Sequence, residues 1–255
     1  MQIDVFIPAH PKDFPVLPNA IRSIGDFITP VPHSITVIAR KHSIDLDNIL
    51  KATGSQFLQE DEIIPNLKRS DIAPIVCQGE DRSGWYFQQF LKWGLADLSN
   101  QNHYLIVDAD ILFIRDTPLF AGPKVIHYRT LQHHTPYFET YEKLFGYRPQ
   151  PDRSFIANFM MLNSNIVREI TSSIERRTGR VWHDAILKSI VPNILSSFSE
   201  YESYGYYVSR FYPDTFESQR DATFNLHTIV YPLHDLIMRF ARGRFRSIAY
   251  HNYRR

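Results

Sequence analysis

His103-Tyr104-Leu105-Ile106-Val107-Asp108-Ala109-Asp110-Ile111-Leu112-Phe113-Ile114 is an apolar run interrupted by two carboxylates. Apolar residues without alternation before Asp108 predict a central strand buried on both faces, as in parallel sheets. Asp108 and Asp110 then fall at the carboxyl end of that strand, where open α/β sheets bind ligands. Spacing of two in an extended segment puts both side chains on one side. A turn at Asp110 lets both reach one hard cation through oxygen. Two like charges held this close are unfavourable unless a cation or donors compensate them. The plainer alternative is that the acids start a loop or cap a helix, because Asp-x-Asp is a common tripeptide.

Working outward, Ile3 to Ile7 reads as a first strand ending at Pro8. A loop, Ala9 to Asp13, leads to a helix from about Phe14 to Gly25, with Leu17, Ala20, Ile21 and Ile24 on one face. Ser34 to Ala39 is rich in β-branched residues and reads as a second strand. Strand, helix, strand at this spacing is a βαβ unit and argues for a parallel sheet. Gly84 to Leu98 reads as a helix, Ser154 to Leu162 as another buried strand, and Trp182 to Ile190 as a helix. The expected architecture is α/β, with a central mostly parallel sheet in one domain spanning residues 1–255. Prolines punctuate the chain and no Gly/Ser linker divides it.

The chain has 255 residues with 44% hydrophobic and 22% charged side chains, enough to build a core. Lys plus Arg number 28 and Asp plus Glu 27, so bulk charge does not hold this protein to nucleic acid. The single cysteine, Cys77, excludes an intrachain disulfide. The Ile3–Ala9 stretch is interrupted by Asp4 and is not expected to act as a secretory signal. No run of about 18 apolar residues is present, so a cytoplasmic protein is expected. Residues 239–255 carry Arg239, Arg242, Arg244, Arg246, Arg254 and Arg255 and no acid. That segment is either a solvated tail or a contact for phosphates of a ligand or a membrane surface.

Four further constellations carry chemistry. Arg82 and Gly84 at the start of a helix suit a diphosphate, with Gln88 and Lys92 sharing a face one turn apart. Pro8, His10 and Lys12 follow the first strand, where a nucleotide usually meets a doubly wound sheet. Glu200 and Glu202 lie in Ser199-Glu200-Tyr201-Glu202-Ser203-Tyr204-Gly205-Tyr206, read as an acidic aromatic loop able to supply a general base. His251 could add imidazole to the carboxylate site. The glycine patterns of a dinucleotide fold and of a P-loop are missing, as is the nucleophile elbow of hydrolases. His103, His133 and His134 lack the paired spacing of a zinc site.

The order of Ile7-Pro8-Ala9-His10-Pro11-Lys12-Asp13, Gly84-Trp85-Tyr86-Phe87-Gln88-Gln89, Val107-Asp108-Ala109-Asp110, His134-Thr135-Pro136-Tyr137-Phe138 and Ser199 to Gly205 resembles a largely uncharacterised family of bacterial glycosyltransferases with the GT-A fold. The resemblance spans roughly residues 3 to 253. It implies a Rossmann-like nucleotide-binding sandwich, with residues 1–115 on the nucleotide-sugar side and 116–255 on the acceptor side. It implies a UDP- or GDP-linked sugar donor and Mn²⁺ or Mg²⁺ held by Asp108, Asp110 and His251. It further implies donor contacts from Pro8, His10, Lys12, Arg82, Gly84, Gln88, Lys92 and Asp108, and an acceptor base at Glu200 or Glu202. The implied acceptor is a glycan or lipid-linked glycan in surface polysaccharide or glycolipid synthesis, and the arginines of residues 239–255 are compatible with peripheral contact at the cytoplasmic face of the inner membrane. Three other readings compete with it. They are a phosphatase or phosphotransferase of the haloacid dehalogenase kind, a nucleotide-binding protein without transfer activity, and a nucleotidyltransferase.

Overall fold

A computed structural model describes residues 2–150, 152–226 and 240–250. Its centre is a five-stranded sheet. The strands, in chain order, are β1 (Asp4–Pro8), β2 (Ser34–Ala39), β3 (Gln56–Gln59), β4 (His103–Val107) and β5 (Phe159–Asn163). Their spatial order is β5-β4-β1-β2-β3, and only β5 runs antiparallel to its neighbour. The mixed α/β class with a mostly parallel sheet is therefore as the sequence indicates. Strand order reverses at β1, which pairs with β2 on one side and β4 on the other. That reversal opens a crevice at the carboxyl ends of β1 and β4.

Alternation within the strands sorts the core onto two faces. Val5, Ile7, Leu105 and Val107 pack on one face against α1 (Leu17–Phe27) and α2 (Ile44–Thr53). Phe6, Tyr104, Ile106 and Met160 pack on the other, against α3 (Ser83–Gly94), α5 (Ser164–Thr178) and α7 (Glu200–Phe211). The elements between them are α4 (Thr135–Phe145) and α6 (Trp182–Ser189). Side chains cap several of these helices: Ser43, Asn163 and Ser199 each accept a backbone N–H in the first turn that follows.

Three expected boundaries shift for identifiable reasons. The first helix starts at Leu17 rather than Phe14, with Pro18 in its first turn, where proline costs no hydrogen bond. The chain before it forms a 3-10 turn, Pro11–Asp13, closed by His10 and Asp13. The helix expected over 84–98 is α-helical only to Gly94 and ends in a 3-10 turn, Leu95–Asp97. The buried strand expected from Ser154 begins only at Phe159. Ser154 makes an isolated bridge to Thr130, and the N–H groups of Phe155 and Ile156 go to Glu202 and to Ser154 Oγ instead of to a sheet.

The largest correction concerns residues 199–206. They are not an exposed loop but the first turns of α7, buried from Glu200 through Val208. Gly205 explains how this helix comes so near the 154–158 segment. A Cβ there would stand 2.2 Å from Cγ of Phe155. In an open helix, Gly to Ala would stabilise by roughly 0.5–1 kcal/mol. Here the sign reverses, because a fully buried ring must move. Gly205→Ala is expected to destabilise the protein by about 1–3 kcal/mol, measured by urea unfolding.

Candidate active site

A cleft of about 680 Å³ lies at the carboxyl ends of the parallel strands. Four strands deliver residues to it from their last positions: Pro8 from β1, Arg40 after β2, Glu60 after β3, and Asp108 after β4. The parallel register brings these ends to one edge. Pro8, His10, Lys12, Arg82, Gly84, Gln88, Lys92, Asp108 and Asp110, all expected from the sequence, line the same cleft.

The Asp108–Asp110 turn is fixed by its backbone. Asp108 N–H donates to Asn158 C=O at 2.9 Å, and Ile111 N–H donates back to Asp108 C=O at 3.2 Å. After the turn, β6 (Ile111–Phe113) pairs antiparallel with β7 (Ser247–Tyr250). Tyr250 N–H donates to Asp110 C=O at 2.9 Å, so the far end of the chain braces the acidic turn. His251, the expected imidazole ligand, lies outside the described residues. Among the described residues, no three His, Cys, Asp or Glu side chains converge as a metal cluster. Asp108 and Asp110 still fit a hard cation: both are oxygen donors, both line the cleft, and a Mg²⁺-like ion keeps waters and phosphate oxygens as its other ligands.

Behind Asp108 is a buried ion-pair network. Lys92 Nζ lies 2.8 Å from Glu200 Oε1 and 3.2 Å from Asp108 Oδ1. The Lys92 ammonium also sits 4.4 Å from the centre of the Tyr201 ring, a cation–π contact. The Gln89 carboxamide faces the Glu200 carboxylate, its nitrogen donating in the orientation that satisfies both. Burial by itself would push the Lys92 ammonium down. The charges of Asp108 and Glu200 outweigh it and hold Lys92 well above its ordinary value. Burial raises Glu200, against the lowering pull of Lys92. The Lys92 and Glu200 side chains are only 5% and 2% exposed, against 30% for Asp108, so of the three only the aspartate reaches far into the cleft.

Glu200 and Glu202, expected to supply the base, are both buried and neither lines the cleft. Glu202 accepts from Ser154 Oγ at 2.5 Å and from Phe155 N–H at 2.9 Å, which pins the 154–155 segment beneath α7. Among the aromatic residues near the site, Trp85 lines the cleft, under the Arg82 guanidinium at 5.1 Å. Phe138, Tyr204 and Tyr206 belong to the core. Gly84 does permit a close approach, but the group approaching is the chain's own Arg69. A Cβ at Gly84 would lie 3.2 Å from Arg69 Nε.

Six polar lining residues were given no role in the sequence reading: Asp13, Arg40, Glu60, Arg69, Gln89 and Asn158. Burial raises the Asp13 carboxyl, and the charge of Asp110 adds to the effect, which puts the two acids within electrostatic reach. Arg40 and Glu60 directly follow strands, so the strand-end rule alone would have found them. Arg69 reaches Asp81 at 3.5 Å, while the Ser83 hydroxyl and N–H draw the Asp81 carboxyl down to about 2. The cleft is thus acidic at Asp13, Asp108 and Asp110, and has Arg40, Arg69 and Arg82 elsewhere in its lining.

A family model describing a family of unknown function, DUF6492, matches residues 20–227, well over half of the chain. The chain belongs to the DUF6492 family. No curated protein matches this DUF6492 member. Among solved structures, mouse xyloside xylosyltransferase 1 in its apo form is similar at 10% identity. The match covers 98% of this chain and 97% of that one, with a TM-score of 0.52. The apo structure of WbbM, a bifunctional glycosyltransferase, is similar at 12% identity and TM-score 0.52, over 98% of this chain and 45% of WbbM. A mycobacterial protein matches at 17% identity over 44% of this chain and 32% of its own, with a TM-score of 0.30. The DUF6492 chain therefore spans about a third of that protein's length and less than half of WbbM's. What the likeness shows is the fold, which is that of GT-A glycosyltransferases.

The ion-pair network makes a direct prediction. Lys92→Met leaves Glu200 buried without its counter-charge, which costs about 3–5 kcal/mol. Adding Glu200→Gln to the same chain is expected to recover most of that loss in urea titrations.

Proposed function

We propose that this protein is a glycosyltransferase that takes a sugar from a nucleotide-sugar donor and passes it to an acceptor hydroxyl. The observation that carries the reading is the placement of Asp108 and Asp110. Both line a cleft at the point where strand order reverses, in a fold shared with a xylosyltransferase. The proposed donor is UDP- or GDP-linked, and Asp108 and Asp110 would hold Mn²⁺ or Mg²⁺, with His251 a further candidate ligand. When bound, such an ion supplies Lewis-acid stabilisation of the charge that develops on a departing diphosphate.

The chain's own residues supply the rest. Lys12, Arg69 and Arg82 bring positive charge to the cleft wall, fixed in place before a ligand arrives. Trp85 offers an aromatic face at the start of α3 for a base or a sugar ring. Pro8, His10, Gly84 and Gln88 shape the floor on which the donor would lie. Glu200 and Glu202, both buried, support the wall from behind. In this reading residues 1–115 carry the donor side and residues 116–255 the acceptor side.

The proposed acceptor is a glycan or lipid-linked glycan, as the family resemblance implies, and the reading of peripheral membrane contact draws on the surface around Phe240. Phe240 is 51% exposed beside the exposed Arg242 and Arg244, and the Arg244 guanidinium lies 5.0 Å from the Phe240 ring. An apolar ring flanked by arginines suits peripheral contact with an anionic bilayer. No described helix is long and apolar enough to cross a membrane. Co-sedimentation with vesicles containing phosphatidylglycerol is expected for the wild type. It should fall several-fold for Phe240→Ser combined with Arg242→Gln and Arg244→Gln.

The donor reading is tested by thermal shift with UDP, GDP, CMP and their sugar conjugates, with and without Mn²⁺. A ligand at roughly a hundred times its Kd adds about 2.7 kcal/mol to the native state. For a domain of this size that is roughly 5–10 °C in Tm. One nucleotide is expected to give such a shift only with Mn²⁺, and Asp110→Ala should abolish it while the unliganded Tm is kept. Because the Lys92 ammonium sits on Asp108, phosphoryl transfer through Asp108 is the second reading. No shift with any nucleotide, together with phosphate trapped on Asp108, would favour it.

A further inference from the structure

We propose that Gly84 is a positioning residue whose missing side chain seats the Arg69 guanidinium, and that Arg69 and Arg82 together grip a diphosphate in the cleft. The proposal rests on the nucleotide-sugar reading of the cleft. It names the side chains that hold the donor's phosphates besides any cation.

The starting point is a glycine that its backbone does not require. Gly84 is the second residue of α3 and its φ is not left-handed. Glycine is a poor helix former, so the position needs another reason. Space supplies it. A Cβ there would lie 3.2 Å from Arg69 Nε, 3.4 Å from Nη2 and 3.7 Å from Cζ. The guanidinium rests against Gly84, where a side chain would otherwise crowd it.

Arg69 is brought there by a braced turn. Its N–H donates to Asp61 Oδ1 at 3.1 Å. The 3-10 turn Arg69–Asp71 is closed by Asp71, which accepts from Lys68 N–H at 2.8 Å. Asp81 fixes the far end of the side chain. Its Oδ1 accepts from the N–H groups of Ile75 and Ser83 and from the Ser83 hydroxyl. Its Oδ2 faces Arg69 Nη2 at 3.5 Å. Arg82, two residues before Gly84, is tied in a similar way. Its Nε donates to Leu195 C=O at 3.0 Å, and its guanidinium lies over the Trp85 ring.

A guanidinium has five N–H donors. Among the described residues, Asp81 is the ion-pair partner of Arg69 and Leu195 C=O the acceptor for Arg82. The charge of Glu60 is met by Arg40 ahead of Arg69. Both Arg69 and Arg82 line the cleft, and each keeps N–H groups for a ligand that enters it. Planar forks of this kind pair with phosphate oxygens two at a time. Two forks over one helix turn suit two linked phosphates better than one.

Two roles for Gly84 make different predictions. If a ligand meets the backbone at Gly84 directly, an added Cβ weakens binding whatever stands at position 69. If Gly84 acts by seating Arg69, the Cβ matters only while Arg69 is present. A double-mutant cycle separates them. The experiment is a calorimetric titration of the full chain with pyrophosphate in Mg²⁺, using wild type, Gly84→Ala, Arg69→Gln and the double variant. Wild type is expected to bind pyrophosphate roughly tenfold more tightly than inorganic phosphate. Arg69→Gln is expected to weaken pyrophosphate binding about tenfold, and Gly84→Ala about threefold. In the Arg69→Gln background, Gly84→Ala is expected to change nothing further. Equal weakening by Gly84→Ala in both backgrounds overturns the proposal. So does wild-type affinity in either single variant, or phosphate bound as tightly as pyrophosphate. In each of those outcomes the cleft still binds the anion, and the nucleotide-sugar reading survives. If wild type does not bind pyrophosphate, that reading falls and the proposal with it. Should Arg69→Gln melt below the assay temperature, Arg69→Lys takes its place in the cycle. It keeps the charge, loses the planar fork, and must likewise remove the effect of Gly84→Ala.

Discussion

A lysine ammonium removed from water has to be met by negative charge, and in this protein two carboxylates from distant parts of the chain meet it. Lys92 comes from α3, Asp108 from the end of β4 and Glu200 from the start of α7. The desolvation cost of such a group is several kcal/mol and is repaid only when geometry and secondary hydrogen bonds are good. Tyr201 and Gln89 supply that second layer. The three elements are thereby locked at one point, and that point is the back wall of the cleft. A small displacement of α7 would leave a charge uncompensated, so the wall resists movement in a way that apolar packing alone would not.

The sheet provides the other half of the design. Parallel strands place all their carboxyl ends on one edge, and the reversal of order at β1 separates the connections that follow them. Residues far apart in sequence, such as Pro8, Arg40, Glu60 and Asp108, come together because Pro8 ends its strand and each of the other three directly follows one. The acidic turn is then held by neighbours on both sides, the carbonyl of Asn158 and the N–H of Tyr250.

What could be read from the sequence follows the same physics. β2 and β4 were legible because a strand buried on both faces must be apolar throughout, and Ser34–Ala39 and His103–Val107 nearly are. The eight residues expected to touch the donor, and Asp110, line the cleft. The misreadings arise where a long-range partner decides the local structure. Residues 199–206 mix glutamate, tyrosine and glycine, a composition that suggests a solvated loop. They form a buried helix because Glu200 has Lys92, Glu202 has Ser154 and the Phe155 backbone, and Gly205 has the Phe155 ring. None of those partners is near in sequence. Phe155 and Ile156 looked like strand because they are apolar, yet Glu202 and Ser154 take their amides. Arg40 and Glu60 were legible in principle, from position rather than from any motif.

The pairing of β6 with β7 bears on the order in which the molecule is made. Asp110 leaves the ribosome well over a hundred residues before Tyr250, whose N–H it needs as a partner. The βαβ core can assemble while the rest of the chain is still being synthesised. The acidic turn, by contrast, lacks one of its braces until the strand Ser247–Tyr250 has been delivered and has found Ile111–Phe113. A nascent chain can therefore carry a formed sheet and a partly braced site, and the turn gains its second brace only when the strand Ser247–Tyr250 arrives.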